Sequence, residues 1–200
     1  MMKKLVLATN NRHKILEIKS ILKGLDIEIL TLHDIPNIPP LVEDGPTFEE
    51  NALRKARIVY RHSKLPSLAD DSGLEVFYLN GKPGVLSARY AGEGATDDQN
   101  NQKLLSEMRG VAPRRRRAQF RSILAFVGDG FEEVTEGACP GKLTEVPRGP
   151  NGFGYDPVFV PDGFDKTYAE LTDEKKNTVS HRAKSLEKMT GLLRKRLASP

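Results

Sequence analysis

Two hundred residues at 22.2 kDa suit one sizeable domain and exclude a long multidomain machine, because domains run about 100 to 200 residues. Apolar residues make up 38% of the chain, enough to bury a core without disulfides or metals, and 31 Lys and Arg against 27 Asp and Glu leave a net charge of only +4. Such a balance permits nucleic acid but does not demand it. The single cysteine, Cys139, excludes an internal disulfide and a zinc knuckle and fits a reducing compartment. Met1-Met2-Lys3-Lys4 precedes too few apolar residues for a signal-peptide core or a membrane span, so a soluble, unprocessed, cytoplasmic protein is expected.

In chain order, Leu5 to Ala8 reads as a short buried strand that ends at the turn-forming pair Asn10-Asn11. Ile15, Ile18 and Leu22 recur at helical steps, and Gly24 supplies a stop. Leu25 to Leu30 returns as a second strand, and the prolines from Pro36 to Pro46 deny helix. Thr47-Phe48-Glu49-Glu50 is a capping box opening a helix to about Arg61. Leu68 to Val76 reads as an extended segment broken at Ser72-Gly73. Thr96-Asp97-Asp98-Gln99 caps a further helix that carries Leu104, Leu105 and Met108 and ends near Gly110. Phe120 to Val127 and Phe131 to Glu136 form a hairpin across Gly128-Asp129-Gly130, and Val158 to Val160 is a strand. A last helix places Ala183, Leu186, Met189, Leu193 and Leu197 on one side. No repeat or linker divides the chain, so one α/β unit with a mixed sheet is expected.

Four segments carry residues suited to chemistry. Thr9 to Lys14, T-N-N-R-H-K, lies between a strand and a helix, where free amides, polar side chains and Lys14 can meet an anion; Asn10 or Asn11 can equally serve as a plain cap. The stretch lacks the glycines of a Walker loop or a dinucleotide fingerprint. Asp70-Asp71-Ser72-Gly73, with Glu43 upstream, offers hard oxygens to magnesium, although in an extended segment only one of the two aspartates points into a given site. Gly149 to Asp156, G-P-N-G-F-G-Y-D, brings pliable backbone and the rings of Phe153 and Tyr155, on which a planar base can stack. Lys175 to Arg182, at the start of the final helix, holds Lys176 for phosphate and His181 and Arg182 as donors to a keto oxygen. The run Arg114 to Arg117 is the main argument for a nucleic-acid-binding module, but no aromatic interleaves it, and a solvated loop explains it as well.

Taken in order, T-N-N-R-H-K, F-E-E-N-A-L-R-K-A, A-D-D-S-G-L, P-G-V-L-S-A-R-Y-A-G, G-F-G-Y-D-P-V-F and S-H-R-A-K resemble the inosine triphosphate pyrophosphatase family across nearly the whole chain. Asn10 stands where some members have glycine. The resemblance implies an elongated mixed β-sheet flanked by helices, with two lobes and a central cleft, residues 1 to 200 forming a single nucleoside triphosphate pyrophosphatase domain and assembling as a homodimer. It implies Mg2+-dependent hydrolysis of ITP, dITP and XTP, a small-molecule substrate rather than nucleic acid or membrane. Carried over, Thr9, Asn10, Asn11, Arg12, His13 and Lys14 hold the substrate. Asp71 is general base and metal ligand, Glu43 a second metal ligand, and Ser72 touches substrate. Phe153, Gly154, Tyr155 and Asp156 frame the base, Lys176 and Lys55 reach phosphates, and His181 with Arg182 reads the six-keto oxygen. On this reading Arg182→Ala erodes base preference more than it harms folding. A related pyrophosphatase acting on modified pyrimidines is the nearest rival reading.

Overall fold

The computed structural model describes residues 3–197; Met1 and Met2, on which part of the N-terminal reading rests, lie outside them. Strand β1 (Lys3–Leu7) is buried from Leu5 onward, as a continuous apolar run in a parallel sheet requires. It runs parallel to β2 (Ile27–Leu30) and to β3 (Ser67–Val76), with Val6 opposite Ser67 and Leu7 opposite Leu68. Strands β4 (Arg117–Gly128) and β5 (Phe131–Leu143) are joined across Asp129-Gly130, and β5 is antiparallel to β6 (Phe159–Pro161). The strand order β2-β1-β3-β4-β5-β6 makes a mixed six-stranded sheet in an α/β fold. The helices are α1 (Arg12–Ile21), α2 (Phe48–Ser63), α3 (Asp97–Glu107), α4 (Asp173–Val179) and α5 (His181–Leu197). None among the described residues is long and apolar enough to cross a membrane.

The chain divides into two compact units. Met1–Asp71, Ser122–Gly137 and Arg182–Pro200 form the first, and Ser72–Arg121 with Ala138–His181 the second. In the first, Leu5 and Leu7 of β1 pack with Ile18 and Leu22, with Leu124 and Phe126 of β4, and with Leu186, Met189 and Leu193 of α5. In the second, Leu74, Tyr90, Leu104, Met108, Phe120, Tyr155, Phe159 and Tyr168 gather into a core of their own.

Three elements depart from the expectation. Strand β3 runs unbroken through Ser72-Gly73, beyond its pairing with β1 at Ser67 and Leu68 and with β4 as its neighbour on the other side, the sheet overriding residues poor in strand propensity. Strand β5 continues past Glu136 to Leu143. The last helical stretch is two helices, since Ser180 is extended (φ −69°, ψ 159°) between α4 and α5. Serine is a favoured residue at a helix start, and α4 (DEKKNTV) carries only Val179 as an apolar residue, so it has no periodic face of its own to announce it.

Candidate active site

In the first unit the buried centre is Lys55, on the inner face of α2. Thr47 Oγ1 accepts from Glu50 N to start this helix, so the threonine half of the expected capping box forms. Four residues apart on one face, Asn51 and Lys55 both turn toward β3. The Lys55 ammonium donates to Asp71 Oδ1 (3.1 Å), to the Asp70 carbonyl (2.9 Å) and to Glu43 Oε1. Asn51 Nδ2 donates to Asp71 Oδ2 (3.1 Å), while its Oδ1 accepts from Gly45 N (2.8 Å), which ties the Glu43–Gly45 loop to the same spot. Burial lowers the Lys55 ammonium, but the Asp71 and Glu43 carboxylates outweigh it and hold the group above its ordinary value. Burial works against ionised Glu43 too, yet Lys55 beside it and Lys14 nearby keep that carboxyl low. Asp71 goes the other way: burial, with the like charge of Glu43, pushes its carboxyl up against the pull of Lys55 and Lys14.

Asp70 and Asp71 alternate along β3, as the period of a strand dictates, and their surroundings differ. Asp70 is fully buried. Its Oδ1 accepts from Ser122 Oγ (2.7 Å), and its Oδ2 accepts from Arg182 Nε (3.1 Å) and Nη2 (2.9 Å) and pairs with Lys14 Nζ (3.0 Å). Burial alone would raise this carboxyl, but Arg182, Lys14 and the serine hydroxyl hold it far below the usual range. Arg182 also pairs with Glu17 on α1. The expectation that Arg182→Ala erodes base preference more than it harms folding meets a guanidinium that is 1% exposed and paired with two carboxylates, so its removal carries a cost to the fold as well. The same applies to Lys55, whose ammonium is engaged by carboxylates rather than open to a phosphate.

Of the T-N-N-R-H-K turn, Thr9 is buried and its Oγ1 accepts from Asn11 N (3.1 Å). Asn11 caps α1, its Oδ1 accepting from the amides of His13 and Lys14, so two amides expected to be open to an anion are already satisfied. Asn10, Arg12 and His13 remain exposed.

The second unit holds the aromatic set. Lys176, on α4, pairs with Asp156 Oδ2 at 2.6 Å and lies 4.7 Å above the Phe153 ring centroid. Asp156 Oδ2 also accepts from Phe153 N (2.9 Å), and the Gly154 amide donates to Asp97 on α3 (2.6 Å). Lys176, assigned to phosphates by resemblance, thus stands among the residues expected to frame the base. Tyr155 is buried with its hydroxyl on the Ser87 carbonyl (2.9 Å). The His181 ring stacks on Phe120, centroids 4.7 Å apart and planes 10° from parallel. Ser72 lies half-buried in β3. Gly152 has φ +80°, and a Cβ there would lie 2.2 Å from Asp156 Oδ2, whereas at Gly154 (φ +60°) it would meet nothing within 4 Å. Gly152→Ala is accordingly expected to cost more in a urea titration than Gly154→Ala, for which backbone strain of about 1–3 kcal/mol is the whole cost.

The arginine run is explained by structure. Arg115 lies over the Tyr78 ring (4.5 Å), Arg116 is buried on three backbone carbonyls, and Arg117 makes a two-armed pair with Asp162 (2.6 and 2.7 Å). Arg116 is thus turned inward and Arg117 is paired with a carboxylate, so three neighbours in the run have three different surroundings.

A sequence model described as the Ham1 family matches residues 5–192. The chain belongs to the Ham1 family. Its Ham1-family relatives include the "dITP/XTP pyrophosphatase" of Thermoanaerobacter pseudethanolicus, 47% identical over 97% of this chain and 98% of the relative. The protein of the same name from Geobacter sulfurreducens is 50% identical over 92% and 94%. The solved structure of a HAM1 protein from Coxiella burnetii superposes with a TM-score of 0.88 at 39% identity, covering 96% of this chain and 98% of that one. Within this Ham1 fold, sequence reading passed over Asn51, Glu17 and Ser122. Asn51 had a legible signal, its spacing from Lys55; Glu17 and Ser122 acquire meaning only through partners 165 and 52 residues away.

Proposed function

We propose that the chain hydrolyses dITP, ITP and XTP to the nucleoside monophosphate and pyrophosphate, clearing these abnormal purine triphosphates from the nucleotide pool. The observation that carries the reading is the sharing of one buried ammonium by Asp71 and Glu43 in a chain whose near-full-length relatives bear the dITP/XTP pyrophosphatase name. Among the described residues no three His, Cys, Asp or Glu form a complete metal cage. Two hard carboxylates nevertheless suit magnesium, which keeps several waters and takes its remaining oxygens from phosphates. Glu43 and Asp71 would hold it, and its chemistry there is to offset charge on the triphosphate.

Asp71 is the base in this reading. Asp70 has no exposed surface, and Arg182, Lys14 and Ser122 hold its carboxyl far below the usual range, which makes it the fixed anchor of the cluster. Burial instead pushes the Asp71 carboxyl up toward a useful basicity. The Asp71 carboxylate accepts a proton from water as the water oxygen attacks the α-phosphorus, and pyrophosphate leaves with the electron pair of the cleaved anhydride bond. Lys14, with the exposed polar groups of Asn10 and Arg12, supports the phosphates, and Ser72 touches the substrate. Phe153 stacks on the base, which Gly154, Tyr155, Asp156 and Lys176 frame. His181 donates to the six-keto oxygen of hypoxanthine or xanthine, where the amino group of adenine would set donor against donor. Arg182 acts through Asp70. In this reading residues 1 to 200 are a single pyrophosphatase domain, in a cytoplasmic homodimer that needs no nucleic acid.

The test is a panel of dITP, ITP, XTP, dATP, dGTP and a modified pyrimidine triphosphate, assayed for pyrophosphate with magnesium and again with EDTA. The keto-selective purines should exceed dATP by at least about 100-fold in kcat/KM. EDTA should abolish release, and added magnesium should restore it. Equal rates on dATP or the pyrimidine would overturn the base assignment, and EDTA-resistant turnover the metal.

A further inference from the structure

Apart from these residues, the second unit contains a cavity of about 900 Å³, lined by Asn101, Leu105, Met108, Val111, Arg116 and Pro157 among others. This is the size range of small-molecule sites. Two buried polar groups in its wall are incompletely used. Asn101 is 4% exposed; its Nδ2 donates to the Gly154 carbonyl (2.8 Å), but its Oδ1 has no hydrogen-bond partner. Buried acceptors are rarely left in that state without a ligand or an ordered water. Arg116, also 4% exposed, donates through Nε to Leu143 O (3.1 Å), through Nη1 to Met108 O (2.8 Å) and through Nη2 to Thr144 O (2.6 Å). Three of its five N–H groups are thereby spent, all on neutral carbonyls, and among the described residues it has no ion-pair partner. Asp98, Arg109 and Glu145 also line the cavity, but all three are exposed, which leaves Arg116 as its buried charge. Burial pulls the Arg116 guanidinium down from its ordinary value, with Glu145 opposing, so an added anion is the missing stabiliser.

We propose that this cavity binds a small organic carboxylate, its anion on Arg116, its apolar body against Leu105, Met108, Val111 and Pro157, and an N–H or O–H donor on Asn101 Oδ1. A monoanion matches one buried guanidinium with two spare N–H groups, and the exposed acids at Asp98 and Glu145 disfavour a phosphate dianion. Because the other end of the Asn101 amide holds Gly154, a bound carboxylate fixes that loop residue as well.

The experiment is an NMR titration of the 15N-labelled full chain with indole-3-acetate, which carries an apolar ring, an N–H donor and a carboxylate, and with its neutral amide as control. The expected result is a saturable shift of the Gln102, Ser106, Gly110 and Ala112 amides, half-complete below about 1 mM. The neutral amide should bind at least about tenfold more weakly, and so should the carboxylate to Ser106→Trp. That substitution stands at an exposed position on α3 that lines the cavity, and leaves Arg116 itself unchanged. Absence of saturable shifts on those amides up to about 10 mM, equal binding of the neutral amide, or unchanged binding to Ser106→Trp would each overturn the proposal.

Discussion

Asp71→Asn is expected to lower kcat for dITP about 1,000-fold, within the roughly 100- to 10,000-fold that a positioned general base contributes. The amide keeps the shape and one acceptor oxygen, so Lys55 retains Glu43, the Asp70 carbonyl and an oxygen at position 71, at the cost of the hydrogen bond from Asn51 Nδ2. The fold should survive with a melting temperature within about 4 °C of wild type, the shift that roughly 1 kcal/mol produces in a chain of this size. Pyrophosphate release under saturating magnesium, read beside a thermal melt, checks both halves. A variant with near wild-type kcat would remove Asp71 from the chemistry. A fall in both kcat and melting temperature by a large margin would make the residue a structural counter-ion to Lys55.

Arg182→Ala acts on stability instead. Removing the guanidinium takes from Asp70, which has no exposed surface, its bidentate partner, leaving it Lys14 and Ser122, and takes from Glu17 its pair with Arg182. Breaking a buried pair from one side costs about 3–5 kcal/mol, a large share of the roughly 5–15 kcal/mol that holds a domain together. Urea titration should show that loss at pH 7, and Glu17→Gln, at the more exposed end, should lose less. The pH dependence has a definite sign. The folded pKa of Asp70 is depressed below its unfolded value of about 3.9, so its contribution is complete above that pH and is lost as the pH falls below it. Wild type and Arg182→Ala should therefore converge as the pH is lowered through about 4 and below. A gap that stays constant down to about pH 2 would mean that Arg182 stabilises through packing rather than through Asp70.

The local elements were legible in the sequence because their causes are local. The α1 cap at Asn11, the Thr47 start of α2 and the full capping box of Thr96 and Gln99 on α3 each involve residues within four positions. The unbroken course of β3 was not legible, because Ser72-Gly73 reads as a turn until flanking strands are in place. The division of α4 from α5 was hidden because α4, with Val179 as its one apolar residue, has no periodic face that would mark it as a separate helix. In the candidate site the sequence offered Asp71, Glu43 and Lys176 as candidates by residue type and resemblance, but partners decide what a charged group is free to do. Lys55 and Arg182 read as ligands for phosphate and base while their chain-distant carboxylates were unseen. The four-arginine run read as one basic patch, although its members have a ring, three carbonyls and an aspartate as separate partners.

Strand β1 is made first and α5 last, yet Leu5 and Leu7 share a core with Leu186, Met189 and Leu193. During synthesis, then, β1 can gather α1 and its neighbouring strands early, but that core lacks its α5 wall and Asp70 its arginine until α5 clears the ribosome.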